Sequence, residues 1–285
     1  MIKFFIYFLQ SILIYLFFII GKIIGLNLSR KVFSWIFCVI GPVFKSKKVI
    51  DKNLHIFSKN ISDDEKKQIT KSMWNNYGKT FIEYIHLNIL KKESSHIQIL
   101  GENNLMRPIH SDKPVIFISG HFANFELMSM EITKKKINLA TIYRPLNNFF
   151  LNPLMEYLRK KYICKNQIKK GIKGVREAIE HIQKKNSIAL MVDQRVSEGE
   201  KINLFNKPAL TTTLPAQLAL KYKLEIIPVF IERKKDDNFI IEFYDPIQSD
   251  KFRDKLDLSL KLNSILESMI VRNPKQWIWT HNRWK

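Results

Sequence analysis

Apolar residues follow two different patterns along this chain, one before and one after about residue 97. The first part carries long apolar runs and, over residues 62–90, apolar side chains at helical steps, so we predict helices there. Ser62, followed by the acids Asp63, Asp64 and Glu65, is typical of a helix start with Ser62 as the N-cap. The second part alternates short β-branched and aromatic runs with longer polar stretches, which predicts strands and helices in turn.

Five short apolar runs are the candidate strands of the second part. They lie at residues 115–118, 139–143, 188–192, 226–231 and 239–243. Helices between most of these strands predict an α/β fold with a mostly parallel mixed sheet flanked by helices. The last two strands are close enough in the chain to form an antiparallel pair.

The amino-terminal segment predicts attachment to a membrane. Residues 4–20 are apolar apart from Gln10 and Ser11, and residues 21–26 extend the run with Lys22 as the single charge. At about 1.5 Å per residue, the run reaches the thickness of a bilayer core only when this extension is counted. A cleaved signal peptide is the alternative interpretation. Because no small-residue cleavage site follows, we favour a retained anchor.

A second apolar segment, residues 32–44, is short for a membrane span, so we expect it to lie in the interface or to pack on the body. Positive charge follows the anchor more than it precedes it, which favours a body on the cytoplasmic side. No repeat or Pro/Gly-rich linker divides the rest of the sequence. The predicted organisation is an anchor at 1–27, an interfacial and helical segment at 28–96 and one α/β domain at 97–285.

The first predicted strand ends on residues with catalytic potential. His121 follows the strand through Gly120, and Glu126 stands five residues later in a helix that Asn124 can open. A carboxylate bonded to one imidazole nitrogen leaves the other nitrogen free to take a proton from a hydroxyl. The ordinary alternative is a helix-capping histidine beside a solvated glutamate. The strand–turn–helix context favours a general base with its orienting partner.

Asp193 and Gln194 follow the third predicted strand. Ligands of open parallel sheets gather beyond the carboxyl ends of the strands. This topology can bring Asp193 close to His121 although the two residues are far apart in the chain.

The formal net charge of +21 predicts an acidic partner, which is a nucleic acid, an anionic lipid or a phosphorylated substrate. The densest basic run, residues 159–176, holds eight Lys or Arg and no acid. The anchor and the absence of zinc-finger, RNP or basic-zipper spacing argue against nucleic acid. A membrane surface and an anionic glycolipid fit the charge better.

The two cysteines, Cys38 and Cys164, form no metal-binding spacing with a histidine and imply no disulfide scaffold, which agrees with a reducing compartment. The glycines form neither a Walker nor a dinucleotide-binding pattern.

Six blocks of this sequence follow one another along the chain at residues 120–126, 143–145, 193–194, 211–216, 228–233 and 274–285. In sequence and in order, these blocks resemble those of the bacterial lipid A late acyltransferases, which add secondary acyl chains to Kdo-bearing lipid A precursors. The sequence departs from the family pattern where Ala123 and Phe125 replace the usual Gly and Trp, and where residues 204–206 replace Phe-Phe-Gly. These departures change the walls of the site, so they concern the acyl-chain length and the acceptor.

The resemblance implies a mechanism and its partners. His121 would deprotonate an acceptor hydroxyl, Glu126 would orient His121, and acyl carrier protein would carry the acyl donor, with no metal or bound cofactor. The acceptor would be a hydroxyacyl chain of the Kdo-bearing lipid A precursor at the cytoplasmic face of the inner membrane.

Three arginines complete the predicted site. Arg144, in the Tyr-Arg-Pro block, is our first candidate for an oxyanion donor, and Asp193 is expected to support the site. Arg159 and Arg176 suit substrate phosphates or carboxylates because a guanidinium group binds them in a bidentate manner.

Two other functions stay open at this point. An acyltransferase acting on another glycolipid or an aminolipid would keep the His121–Glu126 pair and change the acceptor. A non-catalytic basic membrane protein that binds anionic lipid would explain the charge and the anchor, but it would not explain this pair at the end of a strand.

Overall fold

The computed structural model describes residues 2–44, 47–93 and 95–285. Met1, Lys45, Ser46 and Ser94, which fall within the predicted segments 1–27 and 28–96, lie outside the described residues.

The first part of the chain is helical, as its apolar pattern predicted. The helices are α1 (Ile2–Ile24), α2 (Leu26–Phe44), α3 (Lys47–Phe57), α4 (Asp63–Glu83) and α5 (Leu87–Lys92), with a 3-10 turn at Tyr84–His86. α4 begins at the predicted cap. The Ser62 hydroxyl accepts a hydrogen bond from the Glu65 N–H at 3.2 Å, and the Glu65 carboxylate accepts one from the Ser62 N–H at 3.0 Å. This reciprocal pair satisfies two backbone donors at the start of the helix.

α1 packs against the rest of the protein with one side only. Among the described residues it is the one helix that is long and apolar enough to cross a membrane, and 17% of its apolar window is buried. Near its start, Phe4 packs on Phe150 with 5.2 Å between ring centroids, and Tyr15 Oη donates to the Phe150 carbonyl at 2.9 Å. Near its end, Lys22 Nζ donates to the Ile85 carbonyl at 3.0 Å. The opposite side of α1 carries the exposed apolar side chains.

The second part forms a mixed sheet with helices on both faces. Its strands are β1 (Ile97–Leu100), β2 (Ile116–Ser119), β3 (Leu139–Tyr143), β4 (Asn166–Lys169), β5 (Ser187–Met191), β6 (Glu200–Leu204), β7 (Lys207–Thr211), β8 (Glu225–Arg233), β9 (Phe239–Phe243) and β10 (Ile247–Gln248). Its helices are α6 (Glu102–Leu105), α7 (Arg107–His110), α8 (Glu126–Lys134), α9 (Asn152–Leu158), α10 (Ile172–Gln183), α11 (Leu214–Tyr222) and α12 (Lys255–Arg272). A π-helical turn at Arg159–Ile163 extends α9, and 3-10 turns lie at Ser249–Lys251 and Pro274–Gln276.

The order of strands in the main sheet is β1-β9-β8-β2-β5-β3-β4, and β10 pairs with β8. β2 runs parallel to β5 and β8, and β3 runs parallel to β4 and β5. β8 and β9 are antiparallel, as predicted for the last two strands, while β6 and β7 form a separate hairpin. The predicted α/β class and its mostly parallel sheet are therefore confirmed.

β2 lies in the middle of the sheet and is buried on both faces. Ile116 and Ile118 pack with Ile182 of α10 and Leu262 of α12, whereas Phe117 faces the core formed with α8 and α9. A strand covered on both faces can be apolar throughout, as this one is. The carboxyl ends of β2 and β5 lie side by side, and the residues that leave both strands meet there.

Candidate active site

The turn between β2 and α8 places His121 at the carboxyl edge of the sheet. Ala123 in this turn has a φ of +44°, a left-handed conformation that residues with a side chain rarely adopt. Its carbonyl accepts hydrogen bonds from Asn76 Nδ2 at 3.2 Å and Thr80 Oγ1 at 2.9 Å, and its N–H donates to the Gln276 carbonyl at 3.2 Å. α4 and the carboxyl-terminal block therefore hold the turn in this conformation.

Asp193 orients His121. The two residues are joined twice, since His121 Nδ1 lies 2.7 Å from Asp193 Oδ1 and the His121 backbone N–H donates to Oδ2 at 2.7 Å. Trp277 Nε1 also donates to Oδ2, at 2.9 Å. Burial alone would raise the pKa of Asp193, but its interactions with His121 and Trp277 lower that pKa to about 2. Asp193 is therefore a carboxylate that only accepts, so in a neutral His121 ring Nδ1 carries the proton and Nε2 presents a lone pair.

Glu126 and the His121 ring have different hydrogen-bond partners in the structure. Glu126 is the first residue of α8, and its Oε1 accepts from Tyr84 Oη at 2.5 Å and from Arg159 at 2.8 Å (Nε) and 2.5 Å (Nη2). The orienting hydrogen bond to the imidazole comes from Asp193 instead. The turn is tight enough to aim the Glu126 side chain towards the end of α4, while the parallel pairing of β2 with β5 brings Asp193 beside the ring.

The three predicted arginines occupy different environments. Arg159 is enclosed with Glu126, and its guanidinium also lies 5.4 Å from the centre of the Tyr143 ring. Arg159 also lines the cavity described below, so the substrate contact predicted for it stays a prediction. Arg144 has an exposed side chain that lines the cavity described below and donates to Asn147 at 3.4 Å. Arg176 is exposed on α10, and the described residues that line the cavity do not include it.

Gln194 and His281 lie against the free side of the His121 ring. Gln194 Nε2 is 3.1 Å from His121 Nε2 and 3.2 Å from His281 Nε2. The sequence analysis grouped Gln194 with Asp193 without a role for it, and His281 belongs to the carboxyl-terminal block at residues 274–285. The position of Gln194 directly after Asp193 at a strand end was the available signal.

A cavity of about 670 Å³ opens in front of His121. Its wall includes Ile14 and Phe18 from α1, Phe81 from α4 and Leu154 from α9, so the amino-terminal helix contributes directly to the chamber. The volume and the largely apolar wall suit an extended hydrocarbon chain. Within residues 2–44, 47–93 and 95–285, no group of three or more His, Cys, Asp or Glu side chains is placed to hold a metal ion.

A buried ionic cluster lies behind the turn and supports it. Glu83 at the end of α4 is fully buried and accepts from Arg30 Nε at 2.6 Å, from Arg233 at 2.5 and 2.8 Å and from Asn124 Nδ2 at 2.8 Å. Burial alone would raise the pKa of Glu83, but the charges of Arg233 and Arg30 and the hydrogen bond from Asn124 lower it to about 2. The cluster joins α2, α4 and β8 to the turn that carries His121.

The comparison with known families decides between the candidate classes. The model of the bacterial lipid A biosynthesis acyltransferase family matches residues 3–285. This chain belongs to that family.

Individual relatives of this lipid A biosynthesis acyltransferase family member are distant. It is 26% identical over 191 residues to the lipid A biosynthesis palmitoleoyltransferase of Escherichia coli (strain K12). The aligned residues cover 65% of this chain and 60% of that protein. It is 21% identical over 248 residues to the lipid A biosynthesis lauroyltransferase of the same strain, and these aligned residues cover 84% of this chain and 78% of that protein. Among solved structures, it is similar to the 1-acyl-sn-glycerophosphate acyltransferase PlsC of Thermotoga maritima, with 15% identity, a TM-score of 0.43 and coverage of 90% and 99% of the two chains.

The Glu126–Arg159 pair in this acyltransferase family member is expected to stabilise the fold more than it binds substrate. Both side chains are largely buried, with 10% and 13% of their surfaces exposed. An Arg159→Met variant leaves the Glu126 carboxylate without its cation, which should lower the free energy of unfolding by about 3–5 kcal/mol. Adding Glu126→Gln removes the uncompensated charge and should recover part of this loss. Thermal or urea denaturation of the detergent-solubilised protein measures both effects.

Arg176→Met is the matched control for this pair, because Arg176 is exposed and its loss should change stability by no more than about 0.5 kcal/mol. The opposite pattern is an Arg159→Met variant that is as stable as the parent protein but has a raised KM for a phosphorylated glycolipid. That result would support the substrate-binding role that the sequence predicted for Arg159.

Proposed function

We propose that this protein is a membrane-bound acyltransferase that moves a fatty acyl chain from acyl carrier protein to a hydroxyacyl chain of a Kdo-bearing lipid A precursor. The single observation that carries the proposal is the geometry of His121, which lines a largely apolar cavity with its Nε2 against Gln194 while Asp193 holds the opposite nitrogen. Family membership supports the lipid A pathway as the setting.

The chemistry begins with the acceptor hydroxyl at His121 Nε2. The nitrogen takes the hydroxyl proton as the hydroxyl oxygen attacks the carbonyl carbon of the acyl thioester. The tetrahedral oxyanion that results collapses with cleavage of the carbon–sulfur bond, and the departing thiolate takes the proton back from Nε2. The products are a new ester and a free thiol. Asp193 stabilises the imidazolium form that exists between the two proton transfers.

Glu126 acts in this proposal as a positioning residue. Its carboxylate joins the start of α8 to Arg159 and to the end of α4 through Tyr84, so it fixes the helix that follows the His121 turn. Loss of Glu126 would therefore disturb the position of His121 without removing a group that touches the reacting atoms.

The membrane setting follows from α1 and from the charge of the chain. The outer side of α1 is a continuous apolar surface, and a surface of this kind needs lipid or a partner to cover it. Its inner side lines the cavity, so an acyl chain that leaves the bilayer can pass beside α1 towards His121. The net charge of +21 favours an anionic membrane surface and a phosphorylated acceptor, with the body on the cytoplasmic face of the inner membrane.

The test is a transfer assay with the full chain in detergent. Acyl carrier protein loaded with chains of several lengths is the donor, and the Kdo-bearing lipid A precursor, a precursor without Kdo and an ornithine lipid are the acceptors. Mass spectrometry should show one additional acyl chain on the Kdo-bearing precursor and none with a His121→Ala variant. Acylation of another acceptor alone would overturn the assigned substrate, and the absence of transfer to all three would overturn the acyltransferase assignment itself.

A further inference from the structure

We propose that the side-chain amide of Gln194 is the oxyanion donor of this enzyme, held against His121 until the acceptor hydroxyl arrives. This inference rests on the proposed acyl transfer and names a catalytic residue for it. Two contacts carry the inference, because Gln194 Nε2 lies 3.1 Å from His121 Nε2 and 3.2 Å from His281 Nε2 at the wall of the cavity.

The protonation of His121 fixes which end of the amide faces the ring. Both oxygens of Asp193 accept hydrogen bonds, so in the neutral imidazole that a general base requires, His121 Nδ1 carries the proton and Nε2 accepts. Only the NH₂ group of Gln194 can donate to an accepting nitrogen, and this determines the orientation of the amide. Its two N–H groups then point to two different imidazoles, one on His121 and one on His281.

Binding of the acceptor must break one of these two contacts. The substrate hydroxyl needs the Nε2 lone pair of His121 at about 2.6–3.2 Å, which is the position that the Gln194 N–H now occupies. The contact with His281 remains and keeps the amide beside the ring. One N–H of Gln194 is thereby released towards the space in front of His121, where the thioester carbonyl must lie for attack.

The released N–H has the properties that an oxyanion donor requires. The carbonyl oxygen that becomes negative is two bonds from the attacking oxygen, so it lies within reach of a donor that was in contact with Nε2. An oxyanion donor must lie about 2.7–3.1 Å from this oxygen, and for this role the Gln194 side chain must rotate to that distance. Gln194 gives up no proton in this step. It accepts no negative charge either, and the electron pair returns from the oxyanion when the carbon–sulfur bond breaks.

Arg144, the donor that the sequence suggested, is less well placed for this task. Its side chain is exposed to solvent, and its contact is with Asn147 at 3.4 Å. Water weakens the stabilisation that an exposed cation gives to a developing charge. Gln194 in contrast touches the base itself.

The experiment compares Gln194→Met and Gln194→Glu with the parent protein in the transfer assay. Both replacements have nearly the length of glutamine, and at neutral pH neither can donate a hydrogen bond. We expect kcat to fall by about 10²–10³-fold, the usual loss of one oxyanion donor, with KM nearly unchanged and the same melting temperature. Gln248→Met is the matched control, because Gln248 is a half-buried glutamine with one side-chain hydrogen bond, to Glu225, and lies outside the cavity wall.

A second measurement examines the contact without any turnover. The ¹⁵N NMR signal of His121 Nε2 should report an accepted hydrogen bond in the parent protein and its loss in Gln194→Met. Full kcat in Gln194→Met would overturn the proposal, as would a loss of activity matched by a lower melting temperature or by a raised KM. An inactive His121→Ala variant measured in parallel keeps the two proposals separate, since it shows that acyl transfer by His121 stands even if Gln194 proves dispensable.

Discussion

A His121→Ala variant is expected to lose acyl transfer, with kcat reduced by about 10²–10⁴-fold, which is the contribution of a well-placed general base. The reason is that Nε2 takes the proton of the acceptor hydroxyl. Asp193 lies on the Nδ1 side of the ring and cannot take that proton in its place. His121→Ala also leaves a buried carboxylate oxygen without its donor. A His121→Asn variant restores an N–H near the position of Nδ1 and should keep the stability of the parent protein while remaining inactive.

Steady-state transfer rates and melting temperatures of the two His121 variants, measured side by side, check this prediction. Loss of activity in both variants with normal stability in His121→Asn is the expected pattern. If purified His121→Asn transferred acyl chains at the parent rate, the general-base role would have to be abandoned.

The second large effect is expected for Asp193→Asn. Both oxygens of Asp193 face donors, namely the His121 ring, the His121 backbone and Trp277. An asparagine must turn its NH₂ group towards one of these donors. If it faces the ring, Nδ1 becomes the acceptor and the proton moves to Nε2, which removes the base. The change of tautomer is expected to lower kcat by a factor on the order of 10⁴, the loss seen when the carboxylate of a Ser-His-Asp triad becomes an amide.

The measurement for Asp193→Asn is kcat at saturating concentrations of donor and acceptor. Asp237→Asn provides the matched control, because Asp237 forms a salt bridge with Lys79 at 2.7 Å and does not line the cavity. A Glu126→Gln variant adds the decisive contrast. If Glu126→Gln lost more activity than Asp193→Asn at equal stability, the orienting role would belong to Glu126 after all.

The sequence placed the members of the site at the correct edge of the sheet because that step depends on strand order alone. The position of Asp193 after a parallel strand sufficed to predict its proximity to His121. The pairing of side chains depends on finer geometry. The turn that directs Glu126 towards Arg159 is held by contacts of Ala123 with α4 and with Gln276. These contacts join residues that are distant in the chain, so the spacing of residues 121–126 does not predict them.

The strands that the sequence analysis did not predict have weak or short apolar patterns. The predicted strands lie in the buried part of the sheet or beside it, where apolar runs are long. β4 has only Ile168 fully buried, so its pattern is too weak to recognise. The β6–β7 hairpin turns through Phe205 and Asn206, both with positive φ, and lacks the Asn-Gly or Asp-Gly pair that marks such turns.

The ionic cluster around Glu83 has a consequence for how this protein can change during evolution. Its cations come from α2 and β8, so replacing the acid alone would leave two buried cations without their shared carboxylate. A fragment that starts near residue 97 would lose both Glu83 and the α4 residues Asn76 and Thr80 that contact Arg233, and among the described residues the Arg233 guanidinium would keep only its polar contact with Asp237 at 3.6 Å. We expect this chain to accept amino-terminal helices from a relative only when those helices carry an acid at the position of Glu83 and a base at the position of Arg30. The helical part and the sheet are in this respect one unit of selection.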